Sequence, residues 1–234
     1  MIKLLQWNIW NNEDIDNIVK ELKRIDADIV CIQELAIKDD NDIKIRKLKE
    51  VYPHIYYEKA DTFLDGYSQC NAILSKYPLY DKNYTYVQKP TDNKNDYSKE
   101  GRVYIEAKVK INEKELTMGT THLSYTDRFI ETEEKDKEVT NLINCIKKDN
   151  YILTGDFNTY RTSKYIKWIE KILVNNDTSN TWTTKPFSYN GFKETELSWK
   201  LDYIFTSKDI KVKETKVVDT KYSDHLPILL TFEM

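Results

Sequence analysis

The spacing of hydrophobic and polar residues predicts a strand, a helix and a second strand at the start of the chain. Residues 2–8 are a short, mostly apolar run that ends in a polar residue, which is typical of a strand. Residues 28–33 are again largely apolar and predict a buried strand. Between them, residues 13–25 place apolar side chains at the spacing of one helix face: Ile15, Ile18, Val19, Leu22 and Ile25.

The same order of elements returns in the second half of the chain. Residues 115–122 and 151–156 predict strands, and the segment between them predicts a helix. The apolar face of that helix ends in Val139, Leu142, Ile143 and Ile146. Two such halves predict an α/β fold, a four-layer α/β sandwich in which two mixed β-sheets pack face to face with helices outside. We expect a single domain over residues 1–234.

Further elements are predicted between and after these two units. Strands are expected at residues 72–75, 103–111, 201–206, 210–218 and 226–232, with a turn at 112–114. A helix is expected where Tyr165, Ile166, Ile169, Ile172 and Leu173 share one face. The polar, proline-containing segment 82–99 predicts a surface insertion.

Composition favours a folded, soluble protein with a charged surface. Hydrophobic residues make up 40% of the chain and charged residues 32%, and the net charge of −3 says little about nucleic-acid binding. The three cysteines lack paired spacing and are interpreted as reduced thiols. Since neither a secretory signal nor a membrane-spanning segment is recognisable, we expect a cytoplasmic monomer without membrane insertion.

The segment Thr154-Gly155-Asp156-Phe157-Asn158 is the first candidate for chemistry. An apolar strand ends in glycine and then presents a carboxylate and a carboxamide two positions apart, on one side of an extended chain. Asp156 and Asn158 are therefore candidate site residues. The competing interpretation is an ordinary turn, in which these side chains bond to their own backbone.

The segment Ser223-Asp224-His225-Leu226-Pro227 places an acid and an imidazole just before the last apolar strand. The chain has only three histidines, so this position is informative. A histidine exchanges protons near neutrality and, when charged, stabilises negative charge that develops on a phosphate. The alternative is a structural Ser-Asp turn.

Two further acids lie within or directly after apolar strands. Asp202 would be a costly buried charge without a partner, and His225 is the natural one, since a carboxylate fixes the ring orientation and favours its charged form. Glu34 follows an apolar run at the expected strand end. Hard oxygen ligands of this kind suit Mg²⁺, with Mn²⁺ as the alternative, whereas zinc would require more His or Cys.

Asn8 and His122 are polar residues at the ends of corresponding strands in the two halves. Either residue alone is more often structural. Because both halves deliver polar groups to the carboxyl ends of apolar strands, we expect these groups to line one cleft at the rim of the sandwich.

With these motifs the whole chain resembles the endonuclease/exonuclease/phosphatase superfamily, which is DNase I-like. The resemblance rests on eight short motifs that occur in a shared order: WNIW, IQE, NAILSKYPL, GRVYIEA, TTHLS, GDFN, LDYIF and SDHLP. It implies a four-layer sandwich and a divalent-metal-dependent phosphoester hydrolase. Departures from subfamily patterns, such as Trp10 two residues after Asn8 and Gln69 where some DNases carry an acid, leave the subfamily open.

The resemblance also implies a separate role for each of these site residues. Glu34 would be the main metal ligand, with Asn8 beside it and Asp224 in support. Asp156 would orient or deprotonate the attacking water and Asn158 would hold a phosphate oxygen. His225, paired with Asp202, and His122 would contact the phosphate from opposite sides.

Two arginines are tentative contacts for the substrate phosphate. Arg102 falls within the GRV segment, and Arg128 follows the second-half strand that ends at His122. For either one, the competing interpretation is a surface ion pair.

The sequence leaves three functions open. The first is a nuclease or DNA-end-processing phosphodiesterase with nucleic acid as substrate, which would place the protein in DNA repair. The second is a phosphatase or phospholipase-C-like hydrolase acting on small phosphoesters or lipid head groups. The third is a binding module that has lost turnover, which is disfavoured because every motif position carries its polar group.

Overall fold

The computed structural model describes residues 1–63, 65–92 and 96–234. Four α-helices lie within these residues: α1 (Ile15–Ile25), α2 (Ile43–Lys49), α3 (Glu133–Ile143) and α4 (Lys164–Glu170). The first seven strands are β1 (Ile2–Asn8), β2 (Ile29–Ile37), β3 (His54–Thr62), β4 (Ser68–Ser75), β5 (Tyr80–Gln88), β6 (Arg102–Ile111) and β7 (Lys114–His122). The others are β8 (Tyr151–Asp156), β9 (Val174–Asn175), β10 (Phe187–Tyr189), β11 (Phe192–Glu194), β12 (Asp202–Thr206), β13 (Lys211–Val217) and β14 (Ile228–Glu233).

Two six-stranded sheets repeat one arrangement. Their strand orders are β13-β14-β1-β2-β4-β3 and β5-β6-β7-β8-β12-β9. In each sheet the two central strands are parallel, β1 with β2 and β7 with β8, and every other pairing is antiparallel. Helix α1 connects the first parallel pair and α3 connects the second, as the repeated strand, helix, strand pattern predicts.

Three apolar layers hold the sandwich together. Consecutive residues of β1 point to opposite faces of the sheet, so Leu4 joins the cluster between the sheets, where it packs with residues such as Ile105 of β6, while Leu5 joins the cluster under α1. A third cluster lies between α3, α4 and the second sheet and includes Leu142 and Leu153. The predicted four-layer α/β sandwich is confirmed.

Local signals at the ends of α1 explain its limits. The side chain of Asp14 accepts a hydrogen bond of 2.8 Å from the backbone nitrogen of Asp16, which caps the first turn. At the other end Asp26 adopts a left-handed conformation with φ 52°, which stops the helix. The predicted start at residue 13 is therefore two residues early.

Two other sequence predictions need correction. The strand expected at residues 28–33 continues to Ile37. All of segment 82–88, expected to begin a surface insertion, belongs to β5, whose exposed edge carries few apolar residues. The remainder of the insertion includes residues 93–95, which lie outside the described residues.

Two further observations concern the state of the cysteines and the length and apolar character of the helices. Cys31 and Cys70 are buried free thiols, and Cys145 is a free thiol that is only partly buried. In the part of the chain that the structure describes, no helix has the length and apolar character needed to span a membrane.

Gly155 allows the central strands β7 and β8 to approach closely. A Cβ atom added at this position would lie 2.2 Å from the backbone carbonyl oxygen of Thr121. Backbone on a neighbouring parallel strand cannot move aside without breaking the ladder. This glycine thus has a packing role one residue before the candidate catalytic Asp156.

We expect Gly155→Ala to lower the free energy of unfolding by about 3 kcal/mol, because the methyl group forces β7 and β8 apart. Urea denaturation measures this change. Gly66→Ala is the control: no atom of the described residues lies within 4 Å of its added Cβ, so only the positive φ of 86° adds a cost of about 1 kcal/mol. Equal losses in the two variants would contradict the packing role.

Candidate active site

Strand register brings three of the predicted residues together at one end of the second sheet. The parallel pairing of β7 and β8 places His122 opposite Asp156. The antiparallel pairing of β12 and β8 places Asp202 opposite the same Asp156. The carboxyl end of β1 adds Asn8 from the first sheet, whose amide donates to Asp156 Oδ2 at 3.0 Å. The rim expected from the strand ends therefore exists.

Glu34 lies in an irregularity of β2 and not at its end. The pairing of β2 with β4 shifts register between Ile32 and Leu35, and Glu34 has a positive φ of 60°. This bulge corrects the expectation of a strand end and turns the carboxylate toward the rim. Glu34 Oε1 accepts from Asn8 Nδ2 at 2.9 Å, and Oε2 accepts from the backbone nitrogen of Asn11 at 3.2 Å.

His225 forms the expected pair with Asp202. The ring nitrogen Nδ1 lies 2.8 Å from Asp202 Oδ2, and Nε2 lies 3.6 Å from Asp156 Oδ2. Burial alone lowers the pKa of His225, but the carboxylates of Asp202, Asp156 and Asp224 outweigh it and hold the pKa well above its usual 6.5. His225 is therefore an imidazolium at neutral pH.

Hydrogen bonds connect the segment before β14 to β1 and to Trp182. Ser223 Oγ donates to the backbone oxygen of Asn8 at 2.7 Å and accepts from the backbone nitrogen of His225 at 3.0 Å. Trp182 Nε1 donates to Asp224 Oδ2 at 3.1 Å. These bonds set the positions of both side chains that the SDHLP motif contributes.

Asp156 is buried at the rim and Glu34 is partly buried, and the pKa of each carboxyl group is raised. Burial raises the pKa of Asp156 to about 7 against the opposing charge of His225, and the backbone nitrogen of Asn158 donates to Asp156 Oδ1 at 2.8 Å. Burial and the nearby charge of Asp224 raise the pKa of Glu34. Both carboxylates would be stabilised by a cation placed beside them.

His122 is held as a neutral ring. Asn158 Nδ2 lies 3.1 Å from His122 Nε2 and also donates to the backbone oxygen of Leu123 at 3.0 Å. If Nε2 accepts, the ring proton lies on Nδ1, which is buried and has no hydrogen-bond partner among the described residues. Burial, followed by the charges of Arg102 and His225, lowers the pKa of His122 well below its usual value.

Arg102 lies at the start of β6 and is only 2% exposed. Its NH2 group donates to Glu100 Oε2 at 2.7 Å. Its Nε and NH1 groups have no hydrogen-bond partner within the described residues. A buried guanidinium with unpaired N–H groups is destabilising unless another group accepts their hydrogen bonds.

Lys135 is a site component that the sequence analysis missed. Its Nζ is buried and donates at 2.6 Å to the backbone oxygens of Ser124 and Asn158, which lie in the loops after β7 and β8. The sequence does contain a signal for a buried lysine, because Lys135 shares a helix face with Val139 and Leu142. A lysine on an apolar helix face indicates a buried partner.

A cavity of about 250 Å³ opens over these residues. The predicted site residues that line it are Glu34, Arg102, His122, Asp156, Asn158, Asp224 and His225. Asn8 and Asp202 are buried behind it, 0% and 1% exposed. Arg128 is exposed, pairs with Asp127 and is not part of the lining. The rest of the lining consists of Asn11, Asn12, Gln69 and Glu100 and of the aromatic side chains Trp10, Phe63, Tyr97, Tyr125, Phe129, Trp182 and Phe187.

The donor set fits a hard divalent cation. One ligand atom each from Asp156, Asp202 and His225 lie within 4.8 Å of one another, but Asp202 and His225 already bond to each other. Glu34, hydrogen-bonded to the amide of Asn8, and Asp224 offer further carboxylate oxygens in the lining. The pKa values of Asp156 and Glu34 are raised, and a cation such as Mg²⁺ or Mn²⁺ would stabilise their ionised forms.

Known proteins share this sequence pattern and this fold. The model of the Endonuclease/Exonuclease/phosphatase family matches residues 5–225. An endonuclease/exonuclease/phosphatase from Beutenbergia cavernae DSM 12333 superposes with a TM-score of 0.80 at 19% identity, over 98% of this chain and 70% of that chain. The mannosyl-6-phosphatase Bt3783 of Bacteroides thetaiotaomicron VPI-5482 gives 0.71 at 18% identity, over 100% of both chains. TDP2 of D. rerio, complexed with single strand DNA product, gives 0.72 at 17% identity, over 100% and 99%. A comparison with curated proteins gives no match.

We expect His225 to be protonated and His122 to be neutral at pH 7.5 in protein stripped of metal by EDTA. The ¹⁵N chemical shifts of the two rings distinguish these states in one spectrum. Asp202→Asn removes the nearest carboxylate without changing the size of the side chain, and should lower the pKa of His225. A neutral His225 ring in the wild-type protein would contradict the interpretation.

The pair of His225 and Asp202 also predicts that the free energy of unfolding depends on pH. Because the folded-state pKa of His225 lies above the ordinary 6.5, its contribution to the free energy of unfolding is fully present below pH 6.5. The contribution is lost as the pH rises through the folded-state pKa.

Proposed function

We propose that this chain, which belongs to the endonuclease/exonuclease/phosphatase family of phosphoester hydrolases, is a divalent-metal-dependent hydrolase of small phosphoesters. The observation that carries the proposal is a set of three buried nitrogen atoms that have no hydrogen-bond partner among the described residues: His122 Nδ1, Arg102 Nε and Arg102 NH1. All belong to buried residues that line the cavity. A phosphate group supplies the acceptor oxygens that these donors lack.

The residues on the other side of the cavity support the hydrolysis step. Asp156 has a pKa of about 7, so its carboxylate can orient water and accept a proton near neutrality. His225 is charged, and it stabilises negative charge on the phosphate or donates its proton to the leaving oxygen. The Asn158 amide, whose two N–H groups bond to His122 Nε2 and to the backbone oxygen of Leu123, orients His122 so that its Nδ1–H can hold the phosphate.

Glu34 and Asp224, with Asn8 beside them, would hold the metal ion. When bound, Mg²⁺ or Mn²⁺ neutralises charge on the phosphate and stabilises negative charge on the leaving oxygen. The protein's own contribution on this side is to hold two partly buried carboxylates in place. The bond from Asn8 to Glu34 and the bond from Trp182 to Asp224 do so.

The size and charge of the cavity favour a small substrate over a nucleic-acid chain. Its volume of about 250 Å³ is below the usual range for small-molecule sites. Of the described residues in its lining, Arg102 alone carries a guanidinium or ammonium group. A polynucleotide is held by several phosphate contacts, which this lining does not offer. The similar fold of a mannosyl-6-phosphatase agrees with this choice.

The nuclease or DNA-end-processing function, which the sequence analysis placed first, is the alternative. The aromatic lining favours it to some extent, because Tyr97, Tyr125 and Trp182 offer ring faces on which bases stack. The structural neighbour in complex with single strand DNA product has the same fold. Faster cleavage of internal linkages in an oligonucleotide than of a small monoester would establish this alternative.

We expect Mg²⁺ and Mn²⁺ to raise the melting temperature of the metal-free protein, because the ion relieves the repulsion at Glu34. At a concentration a hundred times the dissociation constant, the gain is about 2.7 kcal/mol, or roughly 5–10 °C for a chain of this size. Differential scanning fluorimetry measures it. Glu34→Gln should abolish the shift, whereas Glu113→Gln, in an exposed turn, should retain it. A full shift in Glu34→Gln would exclude this residue as a ligand.

The two arginines provide a matched test of the phosphate site. With p-nitrophenyl phosphate and Mg²⁺, Arg102→Ala should lower kcat/KM by about 100-fold, since a buried charge-assisted contact worth about 2–3 kcal/mol is lost. Arg128→Ala, outside the cavity, should change it less than twofold. Asp156→Asn should lower kcat by about 10²–10⁴. Steady-state kinetics measures all three, and equal effects of the two arginine variants would contradict the proposal.

A further inference from the structure

A buried lysine connects the ends of the two central strands of the second sheet. Lys135 lies in the first turn of α3 and is 1% exposed. Its Nζ donates at 2.6 Å to the backbone oxygen of Ser124, two residues after β7, and at 2.6 Å to that of Asn158, two residues after β8. One ammonium group therefore holds both of the segments that follow these strand ends.

Glu138, one turn further along α3, binds the first of these segments as well. Its Oε1 accepts from the backbone nitrogen of Ser124 at 2.9 Å and from Ser124 Oγ at 3.2 Å. Gln88 Nε2 at the end of β5 donates to the same Oγ at 3.1 Å. Both polar backbone atoms of Ser124 are thus bonded to side chains of α3. We call Lys135 and Glu138 the α3 clamp.

Further hydrogen bonds connect the α3 clamp to the phosphate site. The backbone nitrogen of Leu123 donates to the backbone oxygen of Asp156 at 2.9 Å, and its backbone oxygen accepts from Asn158 Nδ2 at 3.0 Å. The same Nδ2 lies 3.1 Å from His122 Nε2. The orientation of the His122 ring therefore depends on Asn158, whose backbone Lys135 holds.

Lys135 makes these contacts with a charge that burial disfavours. Burial lowers the pKa of Lys135 to about 8, although the charges of Glu138 on its own helix and Asp156 of β8 favour the ammonium form. Arg102 of β6 opposes that form, and His122 of β7 is neutral. A neutral amine donates weaker hydrogen bonds than an ammonium group does. The α3 clamp is therefore strongest below pH 8 and weakens as the pH rises through this value.

We infer that Lys135 is a positioning residue for phosphoester hydrolysis, which holds Asn158 and with it the His122 ring in the arrangement that binds the phosphate; the inference rests on the proposed function. Lys135 is not among the described residues that line the cavity, so it acts through the backbone and does not touch the substrate. A role in stability alone would leave turnover independent of the protonation of Lys135.

Two conservative variants should shift the alkaline decline of kcat/KM in opposite directions. Phosphate release from p-nitrophenyl phosphate with Mg²⁺ is measured across the pH range from 6 to 9.5. Lys135→Arg stays charged throughout, so its decline should lie about one pH unit or more above that of the wild-type protein. Glu138→Gln keeps an acceptor for Ser124 but removes a charge that favours the ammonium form, so its decline should lie at lower pH. A decline at one pH in all three proteins would overturn the inference.

Removal of the ammonium group tests the same role at neutral pH. Lys135→Met should lower kcat/KM about tenfold, because two charge-assisted hydrogen bonds are lost. Lys135→Arg should retain most of the activity. Lys137→Met, at an exposed position of the same helix, is the control and should change kcat/KM less than about twofold. Thermal unfolding followed by circular dichroism identifies the variants that are folded at the assay temperature. Equal kcat/KM values in folded Lys135→Met and Lys137→Met would contradict the inference.

A binding measurement distinguishes failure of the inference from failure of the proposed function. With Ca²⁺ in place of Mg²⁺, isothermal titration calorimetry gives the affinity for inorganic phosphate at pH 7 and pH 9. Between these values the wild-type protein should lose about threefold more affinity than Lys135→Arg does, because only the wild-type side chain loses its charge. Absence of turnover in the wild-type protein would contradict the proposed function, and this comparison would still decide the role of Lys135. An identical change in affinity in both proteins would overturn the inference.

Discussion

A ladder of buried side-chain amides connects the two sheets next to the site. Gln6 of β1 and Gln33 of β2 exchange hydrogen bonds of 2.6 and 3.0 Å. Gln33 then donates to Thr120 Oγ1 of β7 at 2.8 Å, and Gln6 donates to Asp202 Oδ1 of β12 at 3.2 Å. Unpaired amides at this depth would each cost about 1–3 kcal/mol. The ladder is complete in only one placement of the sheets, so it fixes how the two halves of the site face each other.

The last bond of the ladder, from Gln6 to Asp202, reaches the charged residues of the site. Asp202 is held on one oxygen by Gln6 and on the other by His225, and this second contact directs the ring toward Asp156. A single imidazolium thereby stands among several carboxylates in a poorly solvated space. Its charge offsets part of the negative charge of Asp202 and Asp156, while Glu34 and Asp224 add two further carboxylates to the lining. The fold thereby concentrates negative charge at the site, which a divalent cation would balance.

How much of this could be predicted from the sequence depends on the kind of signal. An apolar run that ends in a polar residue predicts both a strand and a functional rim, since a buried polar end needs a partner. Strand β1 has the predicted limits, and Asp156 ends β8 as predicted. The pairing of Asp202 with His225 follows from the same reasoning, because a buried carboxylate and a scarce histidine each require a partner.

Other features depend on register and on contacts between distant segments, which periodicity does not reveal. Glu34 looks like a strand end because the bulge that turns it toward the rim has no apolar signature of its own. Arg102 and Arg128 are equivalent as residue types. They differ because Arg102 begins β6, beside the strand that ends in His122, whereas Arg128 lies in an exposed turn with φ 51°. Only the folded arrangement separates them.

The site therefore combines two parts of different origin. Its polar half comes from the ends of the repeated central strands and from β12, whose positions are fixed by the sheets and by the amide ladder. Its aromatic half comes from connecting segments, namely the turn at Tyr97, the loop at Tyr125 and the hairpin of β10 and β11. Connecting segments tolerate change more easily than central strands, because fewer ladder bonds depend on them. Substrate preference can consequently change through the aromatic half while the phosphate chemistry of the polar half stays intact.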